Sequence, residues 1–233
     1  IMKTIEAIIP PPPPHMVGDG FRVHNFFPTS GLIDNRRMSP FFLLDYGSKI
    51  EFSPTPHQRG VGVHPHAGFE TVTLAYHGKV AHHDSAGNAG VIGEGDVQWM
   101  TAGSGLLHKE YHEENFSKSG GLFQMVQLWV NLPAKYKKTK PKYQDLKKEL
   151  QGRYLLPDGL GEVAVIAGEF KGTKGAAYTF SPMQVYNLKL KKGANLELSF
   201  PKTDNTGMLM IEGEAKVNDE TAKTDHFVLF NHD

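Results

Sequence analysis

Short strand-like segments separated by glycine-rich turns occupy most of this 233-residue chain. Clear examples are Phe69–Tyr76, Val97–Thr101 and Leu122–Val130. Their β-branched and aromatic residues favour pleated strands. Because turn signals recur roughly every 8–12 residues, the pattern predicts an antiparallel sandwich or barrel, and we expect an all-β fold.

The second half of the chain repeats the order of strand and turn signals found in the first half. Met208–Glu212 followed by Gly213-Glu214 resembles Thr73–His77 followed by Gly78-Lys79. This similarity predicts two tandem β-barrels. The second copy stops a few residues after Phe227–Asn231. Either its last strands are therefore absent from this chain, or another segment closes the second barrel.

A change of composition after residue 133 predicts two domains and a linker. The predicted parts are a first barrel with an N-terminal arm (1–133), a basic and polar linker (134–150) and a second barrel (151–233). The lysines of the linker could contact nucleic acid, but we interpret them as solvated, and the formal net charge of zero gives no general attraction to polyanions. The run Pro10–Pro14 predicts a stiff extended arm, with a ligand for a proline-binding domain as the alternative.

The composition excludes several classes of protein. There is no cysteine, which excludes disulfides, thiolate metal sites and thiol nucleophiles and is consistent with a reducing compartment. No apolar run approaches the roughly 20 residues of a membrane span. We expect a cytoplasmic protein that is a monomer and does not bind a membrane.

Two short segments, His64-Pro65-His66 and His108-Lys109-Glu110, place candidate metal ligands two positions apart. In a strand, residues two apart point to the same face. Two such strands facing each other would bring three imidazoles and one carboxylate to one point, a set that suits Fe(II), Mn(II), Ni(II), Cu(II) or Zn(II). Pro65 lacks a backbone donor, which predicts an edge strand or a barrel rim. Neither pattern recurs in the second half, so we predict one metal ion, in the first barrel.

Other titratable residues near these pairs stay open to interpretation. Glu70 lies four residues after His66 and is either a ligand or the partner of one. His82 and His83 adjoin, so only one of them can face inward from a strand. These two, together with His77 and His112, are interpreted as structural or surface residues.

Several motifs resemble one known family. The segments HPHAGFETVT (64–73), GDVQWMTAGSGLLHKE (95–110) and FQMVQLWVNLP (123–133) closely resemble the pirin family of the cupin superfamily, and HMVGDGFRV (15–23) and FFLLDYG (41–47) are similar to it too. These motifs span nearly all of the first half, whereas the second half resembles a pirin C-terminal cupin more loosely. The resemblance implies a bicupin with one non-haem metal ion in the N-terminal barrel.

The resemblance also implies which residues bind the metal. Matched residue by residue, the family's ligands fall on His64, His66, His108 and Glu110. Glu70 matches the glutamate of the general cupin motif, which is not a ligand in pirins. The expected metal is Fe(II), with Cu, Mn, Ni, Co or Zn as alternatives.

The implied activity is that of a quercetin 2,3-dioxygenase, in which a flavonol and O2 are the substrates. Four protein ligands leave about two octahedral positions for a substrate that chelates through adjacent oxygens. Glu110 could also take the proton of a bound phenol, which makes it the candidate catalytic residue. The candidate apolar lining residues are Trp99, Met100, Phe123 and Met125.

Two other functions remain open at this stage. One is a non-enzymatic, redox-responsive iron protein that acts through a protein partner. The other, which the sequence favours less, is a zinc hydrolase or isomerase, because no nucleophile or acid–base motif stands near the two ligand pairs.

Overall fold

The computed structural model describes residues 2–233 and is 5% helical and 49% strand. The prediction of an all-β fold is confirmed. The strands of the first half are β1 (Ile5–Ile9), β2 (His15–Val17), β3 (Phe21–Phe27), β4 (Phe41–Phe52), β5 (Gly60–His66), β6 (Phe69–His77), β7 (Val80–Asp84), β8 (Ala89–Ile92), β9 (Val97–Thr101), β10 (Leu106–His112), β11 (Gly121–Asn131) and β12 (Lys142–Leu146).

The second half has shorter strands. They are β13 (Gly152–Leu155), β14 (Gly161–Ala167), β15 (Glu169–Phe170), β16 (Thr173–Lys174), β17 (Val185–Leu190), β18 (Gly207–Leu209), β19 (Ala215–Val217), β20 (Glu220–Ala222) and β21 (Phe227–Phe230). The helical segments are α1 (Glu114–Ser119) and two 3-10 turns at Ala134–Tyr136 and Lys148–Leu150. Within residues 2–233, no helix has the length and apolar character needed to cross a membrane.

Two antiparallel sheets build the first barrel. One has seven strands in the order β12-β9-β6-β11-β4-β3-β2, and the other has four strands in the order β5-β10-β7-β8. The inner faces of the two sheets meet where Glu110 of β10 accepts hydrogen bonds from Thr73 of β6 and Gln127 of β11. We use the name first barrel for this pair of sheets.

Strand β10 shows why the sequence folds this way and why the barrel interior is unusual. Its burial alternates along the strand, as expected for a strand with one face inside. The buried side chains are Leu106, His108, Glu110 and His112, so three of the four are titratable. A buried titratable side chain needs a partner to offset its desolvation, which marks this inner face as a site rather than a plain core.

Apolar packing surrounds this polar interior on two sides. Phe21, Phe123 and Met125 belong to a cluster that fills the barrel around His112. The largest cluster lies on the outer face of β6 and β9 and joins both halves of the chain. It includes Val72 and Trp99 from the first half and Ile166 and Phe227 from the second half.

The chain's two ends pair with each other. Strand β1 is antiparallel to β21, with Ile9 opposite Phe227, and β18 pairs with the other edge of β21. One edge of β21 is thus covered by a strand from the first half of the chain. The proline run leads from β1 toward the first barrel, and the carbonyl of Pro12 accepts a hydrogen bond from Nδ1 of His24 (2.6 Å).

Part of the predicted linker is a strand. Residues Lys142–Leu146 form β12, which pairs along its whole length with β9 at the edge of the seven-stranded sheet. The basic and polar composition predicted that this segment is exposed to solvent. As an edge strand, β12 has one backbone edge open to solvent and pairs with β9 through the other. The division of the chain into two domains stays a prediction, but the first sheet extends into residues 134–150.

Candidate metal centre

Two neighbouring strands carry the predicted ligand pairs. His64 of β5 lies opposite His108 of β10 in the antiparallel register, and β5 is the edge strand of its sheet. The edge position agrees with the presence of Pro65, which cannot donate to a second neighbour. A shift of register between His108 and Glu110 marks a β-bulge at the site, a feature often found beside functional side chains.

The structure brings the three histidines together. Candidate ligand atoms of His64, His66 and His108 all lie within 4.8 Å of one another. His64 Nδ1 donates to the carbonyl of Gly62 at 2.7 Å, which leaves Nε2 as the atom with a free lone pair. The ring of His66 packs edge-on against that of His64, with centroids 4.7 Å apart. The three imidazoles therefore converge without any rearrangement of the backbone.

Glu110 completes the group that the sequence predicted. Its Oε2 lies 3.5 Å from Nε2 of His108. Thr73 Oγ1 donates to Oε1 at 3.2 Å, and Gln127 Nε2 donates to Oε2 at 3.0 Å. Trp129 Nε1 in turn donates to Oε1 of Gln127 at 3.1 Å, which fixes the orientation of that amide. The carboxylate is thus held in place by donors from the opposite sheet.

The protonation states suit cation binding. Burial lowers the pKa of His66 to about 4, and the neighbouring imidazoles of His64 and His108 act in the same direction. Burial alone would raise the pKa of Glu110, but the nearby imidazole of His108 and the amide of Gln127 outweigh it and bring that pKa to about 2. At neutral pH His66 is therefore neutral and Glu110 ionised, which are the forms that bind a metal ion.

The donor set fits a divalent transition-metal ion. His108 is 1% exposed, and among the described residues neither of its ring nitrogens has a hydrogen-bond partner. A buried imidazole left unpaired costs free energy, so a ligand at this point would stabilise the site. Three imidazoles and one carboxylate match the ligands preferred by Fe, Ni, Cu and Zn ions.

Glu70 belongs to a different environment. It is fully buried, and its Oε2 accepts a hydrogen bond from Thr101 at 2.6 Å. Glu70 and Thr73 are three residues apart on β6 and therefore leave the strand on opposite faces. Since Thr73 contacts Glu110 inside the barrel, Glu70 points to the other side of the sheet. Burial raises the pKa of Glu70.

Three further histidines have three different environments. His83 is exposed. His112 has a structural role, because its Nε2 donates to the carbonyl of Gly20 (2.7 Å) and its ring stacks on Phe123 and meets Phe52 edge-on. His82 differs from both, because it is 1% exposed and lies beside the site, with its ring centroid 6.1 Å from that of His108. Of the adjoining pair, His82 is buried and His83 is exposed, which agrees with the expectation that only one of them faces inward.

The aromatic mouth of the site was missed from the sequence. Phe42, Phe69 and Trp129 are half-buried and contact one another, and the rings of Phe69 and Trp129 lie 5.1 Å and 5.4 Å from that of His66. We call these three residues the aromatic mouth. The four expected lining residues divide between the two faces of the seven-stranded sheet. Trp99 packs on the outer face of the sheet, Phe123 and Met125 fill the region around His112, and Met100 packs with Ala102 and Leu106.

Comparison with known proteins agrees with this architecture. The family model described as Pirin matches residues 20–130. A protein of Pseudomonas aeruginosa that is provisionally named quercetin 2,3-dioxygenase is 46% identical over 232 residues, covering 100% of this chain and 80% of that protein. Pirin-1 of Arabidopsis thaliana is 37% identical over 202 residues, covering 85% of this chain and 66% of its own length. The chain therefore spans somewhat less than two thirds of that plant relative.

A solved structure shows the same fold over the whole chain. The crystal structure of a quercetin 2,3-dioxygenase from Acinetobacter baumannii matches with a TM-score of 0.92 and 45% identity, covering 100% of this chain and 81% of that one. Together with the sequence relatives, this match establishes the chain's family. The chain belongs to the pirin family.

Proposed function

We propose that this protein is a metal-dependent dioxygenase that opens the ring of a flavonol such as quercetin with O2. The observation that carries the proposal is the convergence of His64, His66, His108 and Glu110 beside the aromatic mouth. The names of the relatives from P. aeruginosa and A. baumannii support the same activity.

The four side chains have separate roles in this proposal. His64, His66 and His108 would hold one divalent ion, for which we propose Fe(II), and Glu110 would supply the anionic ligand. When bound, the ion supplies Lewis-acid polarisation of two adjacent substrate oxygens and access to dioxygen chemistry. Thr73 and Gln127 hold the carboxylate of Glu110 in one orientation, so that its unpaired lone pairs stay directed at the histidines.

The aromatic mouth suits a planar substrate. Phe69 and Trp129 present ring surfaces next to His66, and offset or edge contacts between aromatic rings stabilise such pairs by about 0.5–1.5 kcal/mol beyond area burial. A flavonol lying there would place its 3-hydroxyl and 4-keto oxygens toward the histidines. The apolar rings around the site also exclude water from the reacting carbon atoms.

We propose that Glu110 takes the proton of the 3-hydroxyl group. Its carboxylate is ionised, and Oε2 faces His108, where the substrate oxygens would lie. A pKa of about 2 makes Glu110 a weak base, so the transfer requires that the phenol be acidified by coordination. In the overall reaction both oxygen atoms of O2 enter the ring-opened product, and the carbon atom that carried the 3-hydroxyl leaves as carbon monoxide.

The test compares quercetin with an analogue that lacks the 3-hydroxyl group. Iron- or copper-loaded protein should consume O2 and release carbon monoxide with quercetin only, because the analogue cannot form the same chelate through the 3-hydroxyl and 4-keto oxygens. His66→Ala should abolish turnover, whereas His83→Ala, which removes an exposed histidine from β7, should not. Equal turnover of both compounds, or none with any loaded metal, would contradict the proposal and favour the regulatory interpretation.

A further inference from the structure

Unpaired polar atoms are concentrated on the inner face of the first barrel. Among the described residues, thirteen buried side-chain nitrogen and oxygen atoms have no hydrogen-bond partner. Eight of these atoms belong to five residues, namely Thr71, His82, Gln98, His108 and Tyr143. An unpaired buried polar atom costs free energy, so a group of eight needs partners from outside the protein chain.

The strand registers place these residues on one face. Gln98 lies opposite Thr73, whose hydroxyl contacts Glu110 inside the barrel. Residues directly opposite each other on neighbouring strands share a face. Thr71 is two residues from Thr73 on β6 and therefore lies on the same inner face. Met100 of β9 lies opposite Thr71 on one neighbouring strand and opposite Tyr143 on the other, so Tyr143 shares that face.

His82 reaches the same interior from the opposite sheet. It lies directly opposite Glu110 in the pairing of β7 with β10. Its ring packs on that of Tyr143 with centroids 4.4 Å apart, and it lies 6.1 Å from the ring of His108. His82 and Tyr143 therefore stand next to the metal ligands, yet neither contributes to the group of converging ligand atoms.

Gly90 lets these two polar groups lie close to the backbone of β8. It lies opposite His82 on β8. A Cβ atom at this position would lie 2.5 Å from the hydroxyl oxygen of Tyr143 and 3.2 Å from Nε2 of His82. The two unpaired atoms thus come together from different strands, and a larger residue at position 90 would displace the Tyr143 hydroxyl.

We propose that His82 and Tyr143 form a polar subsite that binds a substrate hydroxyl group other than the two chelating oxygens. The hydroxyl of Tyr143 can donate or accept, and a neutral imidazole offers one donor and one acceptor, so the pair suits a phenolic hydroxyl in either role. This inference rests on the proposed flavonol activity and narrows its substrate class. The preferred substrates are flavonols that carry hydroxyl groups on the outer rings.

The arrangement distinguishes the subsite from the metal ligands. One ring nitrogen of His108 belongs to the group formed with His64 and His66, where a metal ion would bind. His82 lies one strand further from the edge strand β5 that carries those two histidines. A substrate chelated at the metal and extending across β10 toward β7 would meet His82 and Tyr143 with its next polar group.

The test removes the hydroxyl of Tyr143 and compares the binding of two flavonols that differ in their hydroxyl groups. Zinc-loaded protein, which is redox-inert, is titrated without oxygen with quercetin and with 3-hydroxyflavone, which has the chelating pair but no other hydroxyl group. The absorbance shift of the flavonol on chelation gives the Kd. Tyr143→Phe should weaken quercetin binding about three- to tenfold, the range of one hydrogen bond, and leave 3-hydroxyflavone within twofold. Gly90→Ala, whose Cβ would displace the Tyr143 hydroxyl, should show the same selectivity.

Controls and outcomes follow from the same titration. Tyr111→Phe removes a tyrosine hydroxyl next to the exposed His83, and it should change neither Kd. Equal weakening of both flavonols by Tyr143→Phe, or no weakening, would overturn the subsite, as would a lack of binding of either flavonol by wild-type protein. Selective weakening without any turnover by the iron- or copper-loaded protein would support the subsite and count against dioxygenation.

Discussion

Thr73 donates a hydrogen bond of 3.2 Å to Glu110, and this contact decides which of two glutamates can reach the three histidines. Glu110 lies inside the first barrel beside His108. Glu70 leaves the same strand as Thr73 on the opposite face and is bound by Thr101 instead. The sequence alone presents both glutamates as candidates, and only the strand faces separate them.

The first prediction concerns these two carboxylates. Glu110→Gln should lower metal affinity by more than about 100-fold, because it removes the only charged donor beside the histidines. Glu70→Gln keeps an acceptor for Thr101 and should lower affinity by less than about tenfold. Metal content after dialysis against a graded chelator measures both. Equal losses would mean that the carboxylate ligand is assigned wrongly.

The second prediction is the stoichiometry. Among residues 2–233, the group formed by His64, His66 and His108 is the single cluster of three or more candidate metal ligands. Elemental analysis should therefore give about one metal ion per chain, and the double variant His64→Ala with His108→Ala should retain almost none. His83→Ala serves as the matched control, since this histidine is exposed. Two ions per chain would contradict the prediction.

Strand parity explains how much of the site could be predicted from the sequence. The two ligand pairs at i and i+2 needed only the assumption of strands, and that assumption was sound because each pair follows a glycine-led strand signal. His82 could not be chosen over His83 in the same way. Both sit on β7, and the choice between them depends on the register with β10, which a single sequence does not encode locally.

Long-range pairing accounts for what the sequence could not predict about the fold. Strand β12 lies in a basic segment whose composition indicates solvent, and its pairing with β9 depends on the geometry of the whole sheet. Strand β1 is more than 200 residues from its partner β21. Trp129 at the aromatic mouth lies in a mostly apolar strand whose two glutamines, Gln124 and Gln127, are three residues apart, so neither face of the strand stands out.

The third prediction concerns stability of the metal-free protein and pH. Burial lowers the pKa of His66 to about 4 and that of His82 to about 4, compared with 6.5 when unfolded. Between these values the unfolded chain binds a proton at each site and the folded chain does not. The free energy of unfolding should therefore be fully retained above pH 6.5 and fall as the pH drops toward 4, with a slope of up to about 1.4 kcal/mol per pH unit for each histidine.

Denaturant unfolding at pH 7.5, 5.5 and 4.5 measures this slope. His82→Gln should flatten it, because one of the two depressed groups is gone, whereas His83→Gln should leave the slope unchanged. A stability that rises as the pH falls from 6.5 to 4.5 would show that the sign is wrong.

The fourth prediction concerns the pairing of the two chain ends. Ile9 is 7% exposed, lies opposite Phe227 and belongs to the largest core cluster. Ile9→Ala should lower the free energy of unfolding by about 2–4 kcal/mol, the usual cost of truncating a buried isoleucine. Met2→Ala, at a position that is 64% exposed, should change it by less than about 0.5 kcal/mol. Similar effects of the two variants would contradict the packing of β1 into the fold.

The last prediction follows from the same pairing and concerns residues 151–233 in isolation. This fragment contains β21 and β18 but lacks β1, so one edge of β21 would expose unpaired backbone groups and the apolar side chains that β1 covers. It would also lose the packing of Ile166 and Phe227 against Val72 and Trp99. We expect no cooperative thermal transition and no metal binding from the fragment alone.

A second fragment joins residues 2–9 to 151–233 through a flexible linker, which restores β1 but not the first barrel. It should melt cooperatively only if the absence of β1 accounts for most of the lost stability. A sharp transition of 151–233 without β1 would show that the second half folds independently of the N-terminal strand.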